Sequence, residues 1–200
     1  MTKYGPVSPA TRRSYRLLND ALPPLFSGHS PRGPADLLRR LDELGVAHDT
    51  IGHAPVFTVD EALRLRGRIQ GAHSKNLFVR DKKERHWLVS CLSNRKVDLR
   101  WLAGELGTKR LTFCSARRLA GYLGIRGGSV SPFAVLNDDD GVVRVALDAE
   151  LLDREPLNFH PLDNSMTTTV SRAGLMRFLE AESHPPHVIR FPDPGSPAPG

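Results

Sequence analysis

Apolar residues in the first half of the chain recur first at the spacing of helices and then at the spacing of strands. One helix is predicted by a leucine face followed by a terminal glycine: Leu37, Leu38, Leu41, Leu44 and Gly45. A second helix is predicted to begin at a capping box formed by Thr58 and Glu61 and to end near Gly67. The apolar runs Leu77–Val79 and Trp87–Cys91 flank the polar turn DKKER, which predicts a β-hairpin.

The second half of the chain alternates short apolar runs with helical segments. Helices are predicted after the capping residues Asp98 and Ser171, and a third has Ala116, Leu119 and Leu123 on one face. Strands are predicted at Leu111–Cys114, Pro132–Leu136, Val142–Leu147, Leu157–Leu162, Met166–Val170 and His187–Phe191. The second and third of these strands flank NDDDG and are expected to pair as another hairpin. The pattern predicts an α/β fold of the mixed α+β type, with a mixed central sheet and helices packed on it.

The two ends of the chain differ in composition from the middle. Residues 1–34 are rich in proline and in basic side chains, and we expect a partly disordered extension with one short helix near Arg12–Asn19. Residues 193–200 are rich in proline and glycine and are expected to be a disordered tail. A single domain over residues 35–192 is therefore expected.

Charge is distributed unevenly along the chain. The formal net charge is +6, but residues 64–126 hold sixteen Lys and Arg against four acids, a net of +12. Residues 127–192 hold five basic residues against ten acids, a net of −5. Such an asymmetry draws polyanions to one part of a surface and favours nucleic-acid binding, although a set of solvated arginines would give the same count.

Other features narrow the class of protein. No apolar run approaches the roughly 18 residues that a membrane helix needs, and the N-terminus has no apolar secretory region. The two cysteines, Cys91 and Cys114, lie in strand-like runs and are too few for a disulfide framework or a zinc site. We expect a cytoplasmic protein with reduced thiols and no membrane partner.

The segment GAHSKNLF contains a candidate functional lysine. If Leu77 and Val79 pack inward, strand alternation points Lys75 the same way. A buried ammonium group is costly without a partner, so such a lysine usually orients a carbonyl, a carboxylate or a phosphate. The alternative is that the strand begins later and Lys75 is solvated.

Two further segments can contribute polar groups to a site. The loop GGSVSP, which begins at Gly127, exposes backbone groups that can hold an oxyanion or a water, although many glycine loops are only turns. His160 lies in the strand-like run NFHPL and can form a hydrogen bond at a site wall, although a lone histidine there is more often a core residue. The other histidines show no metal-ligand spacing, and no Ser or Cys lies in a nucleophile elbow.

Taken together, these segments resemble a known family. GAHSKNLFVRDKK, HWLVS, GSVSPFAVLND and NFHPLDN, in this order, resemble the YbaK/ProX family of prolyl-tRNA editing domains over residues 35–192. The resemblance is closest to the free-standing alanyl-tRNA(Pro) deacylases. It implies a mixed α/β domain that hydrolyses the ester between an amino acid and tRNA, without a metal, a cofactor or a protein nucleophile.

The resemblance also implies roles for single residues. Lys75, Gly128 and His160 match the catalytic positions of the family motifs. Substrate-binding roles are implied for Asn76, Ser129, Val130, Pro132 and Phe159. Asn76 is more typical of the alanine-clearing branch than of the cysteine-clearing branch, whereas Met166 stands where the family has a small residue and is expected to reshape the amino-acid pocket.

The basic stretch then becomes the expected surface for tRNA. Candidate contacts are Arg80, Lys82, Lys83, Arg85, Arg117, Arg118 and Arg126. The expected partner is the acceptor end of tRNA(Pro) with its amino acid, with transient contact to prolyl-tRNA synthetase or an elongation factor. The function expected is hydrolysis of Ala-tRNA(Pro) in trans. The alternatives are a Cys- or Ser-tRNA deacylase of the same family and a catalytically silent tRNA-binding regulator.

Overall fold

The computed structural model of the chain describes residues 22–55 and 69–192. The helices predicted near Arg12–Asn19 and from Thr58 to Gly67, and the tail at 193–200, lie outside these residues. None of the helices in the described residues is long and apolar enough to cross a membrane.

Eight strands of the described residues form one mixed sheet. They are β1 (His48–Gly52), β2 (Ala72–Asp81), β3 (His86–Leu92), β4 (Leu111–Phe113), β5 (Val143–Asp148), β6 (Leu157–Phe159), β7 (Met166–Val170) and β8 (His187–Ile189). Their order is β1-β7-β6-β2-β3-β5-β8, and β4 pairs with the end of β2. The predicted hairpin of β2 and β3 is confirmed, with Lys75 opposite Cys91 and Val79 opposite Trp87.

Four of the five helices in the described residues begin at a capping side chain. They are α1 (Pro34–Glu43), α2 (Leu99–Glu105), α3 (Ala116–Leu123), α4 (Ala149–Leu152) and α5 (Arg172–Ala181). Asp98 accepts hydrogen bonds from the first turn of α2, and Ser171 accepts one from Gly174 N at 3.0 Å in α5. These side chains satisfy backbone donors that a helix start leaves without partners. The predicted caps at Asp98 and Ser171 are therefore confirmed.

The sheet separates two apolar clusters. The larger one contains Phe78, Phe133, Phe159 and Phe178 with the inward face of α1. The smaller one contains Val79, Trp87 and Val89 with α2 and the last strand. Because neighbouring strand residues point to opposite faces, Phe78 enters the larger cluster and Val79 the smaller. Strand β2 is thus buried on both sides along its second half.

The hairpin predicted around NDDDG is wrong. Pro132–Asn137 forms a 3-10 helix, and β5 instead pairs in parallel with β3 and β8. Ser131 caps the 3-10 helix by accepting a hydrogen bond from Phe133 N at 3.1 Å, and Pro132 starts it without losing a needed donor. All six residues are buried, so their apolar run has no periodicity that distinguishes helix from strand.

The strand predicted at Leu157–Leu162 is shorter in the structure. β6 ends at Phe159, before Pro161, which cannot donate to a strand ladder, and Leu162 has φ +67°. The chain therefore turns away from the sheet directly after Phe159. This turn places His160 at the end of the strand.

The described part of the N-terminal extension lies against the domain. Phe26 N donates to Gly121 O at 2.7 Å, and Arg32 forms an ion pair with Asp139 at 2.7 Å. Leu25 is buried, whereas Phe26 remains half exposed. The boundary of the domain at residue 35 stays a prediction.

Candidate functional site

The predicted lysine and histidine belong to neighbouring segments of the sheet. The two strands are parallel, with His73 opposite Asn158. Lys75 lies two residues after this pair on β2, and His160 lies two residues after it, one residue beyond the end of β6. The apolar neighbours fix the faces: Leu157 and Phe159 enter the larger cluster, so Asn158 and His160 face the other side with His73 and Lys75.

Lys75 is half-buried, and its amine has a defined partner. Nζ donates to the backbone carbonyl of Arg95. The neighbouring positions across the sheet are Cys91 on β3 and, one residue after the last pair of β3 with β5, Asp148. The solvated alternative for Lys75 is therefore wrong, and the inward orientation expected from strand alternation is correct.

Arg95 is a supporting residue that the sequence analysis missed. Arg95 is 8% exposed. Its Nε lies 3.5 Å from Oδ2 of Asp148 in an ion pair, and its guanidinium group also pairs with Glu150. Burial raises the pKa of Asp148, and the charge of Arg95 opposes that effect. This buried network fixes the backbone segment whose carbonyl holds Lys75. A lone arginine in SNRK carries no pattern that would have revealed this role.

His160 is held in one tautomer. Its Nδ1 lies 2.8 Å from Met166 O, and because a carbonyl only accepts, Nδ1 carries the proton. Burial is the largest effect on its pKa and lowers it, while the hydrogen bond to Met166 raises it less. The imidazole is therefore neutral at neutral pH, with Nε2 able to accept a hydrogen bond.

Met166 contributes to the site through its backbone. Thr167 faces His53, so by strand alternation the side chain of Met166 points to the opposite face of β7. The expectation that this side chain reshapes the amino-acid pocket stays a prediction. The carbonyl of Met166 orients His160.

A second histidine lies beside His160. The rings of His53 and His160 are 6.2 Å apart between centroids. His53 Nδ1 lies 2.9 Å from Ala54 O and its Nε2 lies 2.9 Å from Thr167 Oγ1, so Thr167 donates to Nε2. Sequence analysis missed His53 because it follows a short polar strand, without an apolar pattern around it.

The glycine loop meets the segment that follows β6. Ser129 N donates to Arg126 O at 3.1 Å, closing a turn in which Gly128 has φ +94°. A Cβ on Gly128 would lie 3.2 Å from Asn164 Nδ2. The loop therefore fits closely against Asn164, four residues beyond the catalytic candidate His160. Ser129 is buried directly behind the exposed Gly128.

The remaining predicted substrate-binding residues lie on the core side. Phe159 packs edge-on against Phe133 with ring centroids 5.7 Å apart, and Pro132 is buried at the start of the 3-10 helix. Val130 packs partly against the same cluster. Asn76 points to the opposite face from Lys75, and its amide donates to Ser74 Oγ at 3.2 Å. The substrate-binding roles of these residues stay predictions.

The predicted tRNA-binding residues divide into two groups. Arg80 and Arg118 both pair with Glu84, and Arg85 pairs with buried Asp81 at 2.6 Å. Burial acts to raise the pKa of Asp81, but hydrogen bonds from Arg85, Lys83 and Thr108 lower it to about 2. By contrast, Lys82, Lys83 and Arg117 are exposed, and Arg126 is half-buried before the glycine loop.

No group of three or more His, Cys, Asp or Glu in residues 22–55 and 69–192 is arranged to hold a metal ion. His53 and His160 form hydrogen bonds with backbone and hydroxyl groups. The polar atoms that the described site offers are thus an amine, an imidazole nitrogen and backbone amides.

Comparison with known proteins agrees with this geometry. The model of the aminoacyl-tRNA editing domain matches residues 53–178, a range that contains all three motifs. The chain belongs to the aminoacyl-tRNA editing domain family. It is an aminoacyl-tRNA deacylase, because editing is hydrolysis of the aminoacyl ester.

Relatives of this editing domain are similar over most of their length. The prolyl-tRNA editing protein ProX of Acetoanaerobium sticklandii is 38% identical over 149 residues, covering 74% of this chain and 91% of that protein. The prolyl-tRNA synthetase associated domain-containing protein 1 of Mus musculus is 33% identical over 162 residues, covering 78% and 95%.

A solved structure shares the fold of this editing domain. A protein described provisionally as a trans-editing enzyme for prolyl tRNA synthetase has a TM-score of 0.62, with 17% identity. The match covers 80% of this chain and 98% of that one. The mixed sheet with packed helices is therefore the fold of this protein as the sequence predicted it.

Proposed function

We propose that this protein hydrolyses Ala-tRNA(Pro) in trans, releasing alanine and tRNA(Pro). The observation that carries the proposal is that neighbouring parallel strands hold the two groups, Lys75 on β2 and a neutral His160 directly after the end of β6. The names of the relatives, a prolyl-tRNA editing protein among them, support proline tRNA as the substrate.

An aminoacyl ester is already reactive, so positioning and charge stabilisation suffice for its hydrolysis. Water adds to the carbonyl carbon, the bond between that carbon and the ribose oxygen breaks, and the ribose oxygen takes a proton. Lys75 donates to the carbonyl oxygen, on which negative charge develops. The backbone amides of the loop at Gly128 supply further donors or hold the water.

His160 fixes the amino-acid end of the substrate. Its Nε2 has a free lone pair because Nδ1 is committed to Met166 O. A neutral imidazole accepts a hydrogen bond from the α-ammonium group of alanine without repelling it, whereas a protonated one would repel it. The low pKa of His160, caused mainly by burial, keeps this group in the accepting form.

Selection of alanine over proline follows from the size of the amino-acid side chain and from the chemistry of the α-amine. The ring of proline carries its amine as a secondary amine and needs more space than a methyl group. A small pocket that admits alanine and excludes proline would protect correctly charged Pro-tRNA(Pro). Asn76, which the family resemblance associates with the alanine-clearing branch, supports alanine over cysteine.

The deciding experiment measures deacylation of one tRNA with four amino acids. Proline tRNA charged with alanine, cysteine, serine or proline is incubated with the purified protein, and the remaining ester is followed with time. Alanine should be released fastest and proline should remain attached. Faster release of cysteine or serine would reassign the amino acid, and no release of any of them would favour a silent tRNA-binding protein.

A further inference from the structure

A surface pocket of about 400 Å³ lies away from Lys75 and His160. It is lined by Phe26, Ser115, Arg117, Arg118 and Tyr122, and so joins the N-terminal extension to the first turn of α3. Nothing in the hydrolysis of the ester uses these residues. The pocket is large enough for one nucleobase and its phosphate.

Phe26 is held in place but leaves half of its surface to solvent. Its backbone N–H donates to Gly121 O at 2.7 Å, and buried Leu25 anchors the neighbouring position. A Cβ on Gly121 would lie 2.3 Å from the Phe26 ring, so the ring sits directly on the glycine. The side chain is nevertheless 51% exposed, which is unusual for a phenylalanine fixed by its neighbours.

The ring continues an aromatic column that runs into the core. Phe26 and Tyr122 pack edge-on with centroids 4.8 Å apart, and Tyr122 lies 4.3 Å from the ring of His86. His86 is stacked on Phe78 of the larger apolar cluster at 5.7 Å. The column gives the exposed face of Phe26 a rigid support.

Two arginines line the same pocket; the side chain of one is fixed by its partners, and that of the other is exposed. Arg118 is fixed, because it pairs with Glu84 at 2.6 Å and donates to His86 Nε2 at 3.1 Å. Arg117 is exposed and lies over the Phe26 ring, 6.0 Å from its centroid. An exposed aromatic ring beside an exposed guanidinium group is the arrangement that stacks a base and holds its phosphate.

We infer that this pocket is a second contact for the tRNA substrate, in which Phe26 stacks an unpaired nucleobase and Arg117 holds an adjacent phosphate. The inference rests on the proposed function, since it takes tRNA as the substrate. It is supported by the basic charge of residues 64–126, which include both arginines. The extension thereby takes part in binding through one placed aromatic ring.

The test measures binding of uncharged proline tRNA by fluorescence anisotropy at several salt concentrations. Phe26→Leu keeps an apolar side chain on Gly121 but removes the stacking face, and should weaken binding by about tenfold at an unchanged salt slope. Phe26→Trp should keep wild-type affinity. Arg117→Ala should weaken binding and reduce the salt slope by about one unit.

Two further variants separate stacking from loss of structure. Gly121→Ala, which forces the ring from its place without altering Phe26, should reproduce the loss seen in Phe26→Leu. Val188→Ala removes an exposed apolar side chain from the edge strand β8 and should bind like the wild type. Melting curves of all variants are compared, so that a fold defect is recognised.

Wild-type affinity in Phe26→Leu, or equal losses in Phe26→Leu and Phe26→Trp, would overturn the inference. Because the assay uses uncharged tRNA, its outcome does not depend on deacylation. Binding that depends on Phe26, without release of any amino acid, would contradict the proposed function but would support the inference about the pocket. Deacylation without any effect of Phe26→Leu on binding would support the proposed function and overturn the inference about the pocket.

Discussion

At the scale of residues, the site depends on side chains that already form a hydrogen bond to a backbone carbonyl. Nδ1 of His160 is engaged by the carbonyl of Met166, and Lys75 is engaged by the carbonyl of Arg95. A hydrogen bond of this kind holds a ring or an amine in one direction before the substrate arrives. Preorganisation lowers the cost of stabilising charge during the reaction.

Removal of the Lys75 amine should abolish most of the activity. Lys75→Ala is expected to lower the single-turnover rate on Ala-tRNA(Pro) by about a hundredfold, the size typical for loss of one donor to an oxyanion. The free energy of unfolding should fall by only about 1 kcal/mol, because one hydrogen bond to a half-buried carbonyl is lost. Lys109→Ala, at an exposed lysine before β4, is the matched control. A rate for Lys75→Ala near that of the control would remove Lys75 from the mechanism.

His160 should give the reaction an acid limb in its pH profile. Its pKa lies below the ordinary 6.5, so the rate should hold down to pH 6.5 and fall at lower pH, as Nε2 gains a proton. The folded-state pKa is below the unfolded one, so His160 also contributes stability that is present above pH 6.5 and is lost as the pH falls. Rates are therefore taken only where a melting curve shows folded protein.

The control for the pH profile is the exposed His187 at the far edge of the sheet. His160→Ala should be slower than the wild type and should lose the acid limb, whereas His187→Ala should keep it. An acid limb that survives in His160→Ala would show that another group titrates.

At the scale of elements, the site is built where strands stop. β6 ends before Pro161, and the loop at Gly128 enters the 3-10 helix through Ser131 and Pro132. Proline cannot donate a hydrogen bond to a strand ladder, and glycine readily adopts the positive φ seen at Gly128, so the sequence determines both breaks. The breaks place the loop at Gly128 against Asn164, in the segment that follows His160.

Gly128 should be required by its conformation and its neighbour. Gly128→Ala would place a methyl group at φ +94° and 3.2 Å from Asn164 Nδ2. We expect a loss of about 1–2 kcal/mol in the free energy of unfolding. The rate should fall as well, because the loop amides shift. Gly127→Ala, whose Cβ would meet nothing within 4 Å, is the control for both measurements. Equal behaviour of the two variants would show that the loop is only a turn.

At the scale of the whole molecule, the exposed part of the basic stretch should bind the tRNA body. Arg80, Arg85 and Arg118 are partly neutralised by Glu84 and Asp81, so the exposed turn with Lys82 and Lys83 is the stronger candidate. Counterions released from tRNA by such side chains make binding sensitive to salt. Residues 127–192 carry a net negative charge, so they offer no comparable basic surface for the tRNA phosphates.

Charge reversal on that turn should weaken binding of tRNA without stopping the chemistry. Lys82→Glu with Lys83→Glu is expected to raise the Kd for proline tRNA and to reduce the salt slope by about two units. The saturated single-turnover rate should stay near that of the wild type. Arg172→Glu with Arg190→Glu changes the net charge by the same amount on exposed residues outside the basic stretch. Equal losses in both double variants would mean that only net charge matters.

Much of the element structure was determined by the sequence alone. The caps at Asp98 and Ser171, the hairpin of β2 and β3 and the inward direction of Lys75 followed from local patterns, and the structure shows them. Local patterns succeed here because capping and strand alternation involve residues close together in the chain. The motifs also indicated the family, since each matched segment is short and continuous.

Other features were decided only by the tertiary structure. The run Pro132–Asn137 is buried on all sides, so packing rather than periodicity selects its 3-10 helix. Parallel pairing of β2 with β6 joins the strand that holds Lys75 to the strand that precedes His160. Arg95 gains its role through its contact with Lys75, and His53 through its position beside His160. Parallel strands need a long connection, and their pairing is chosen by the burial of both sheet faces. The sequence thus determined which groups the site contains, and the packing of the sheet determined which of them meet.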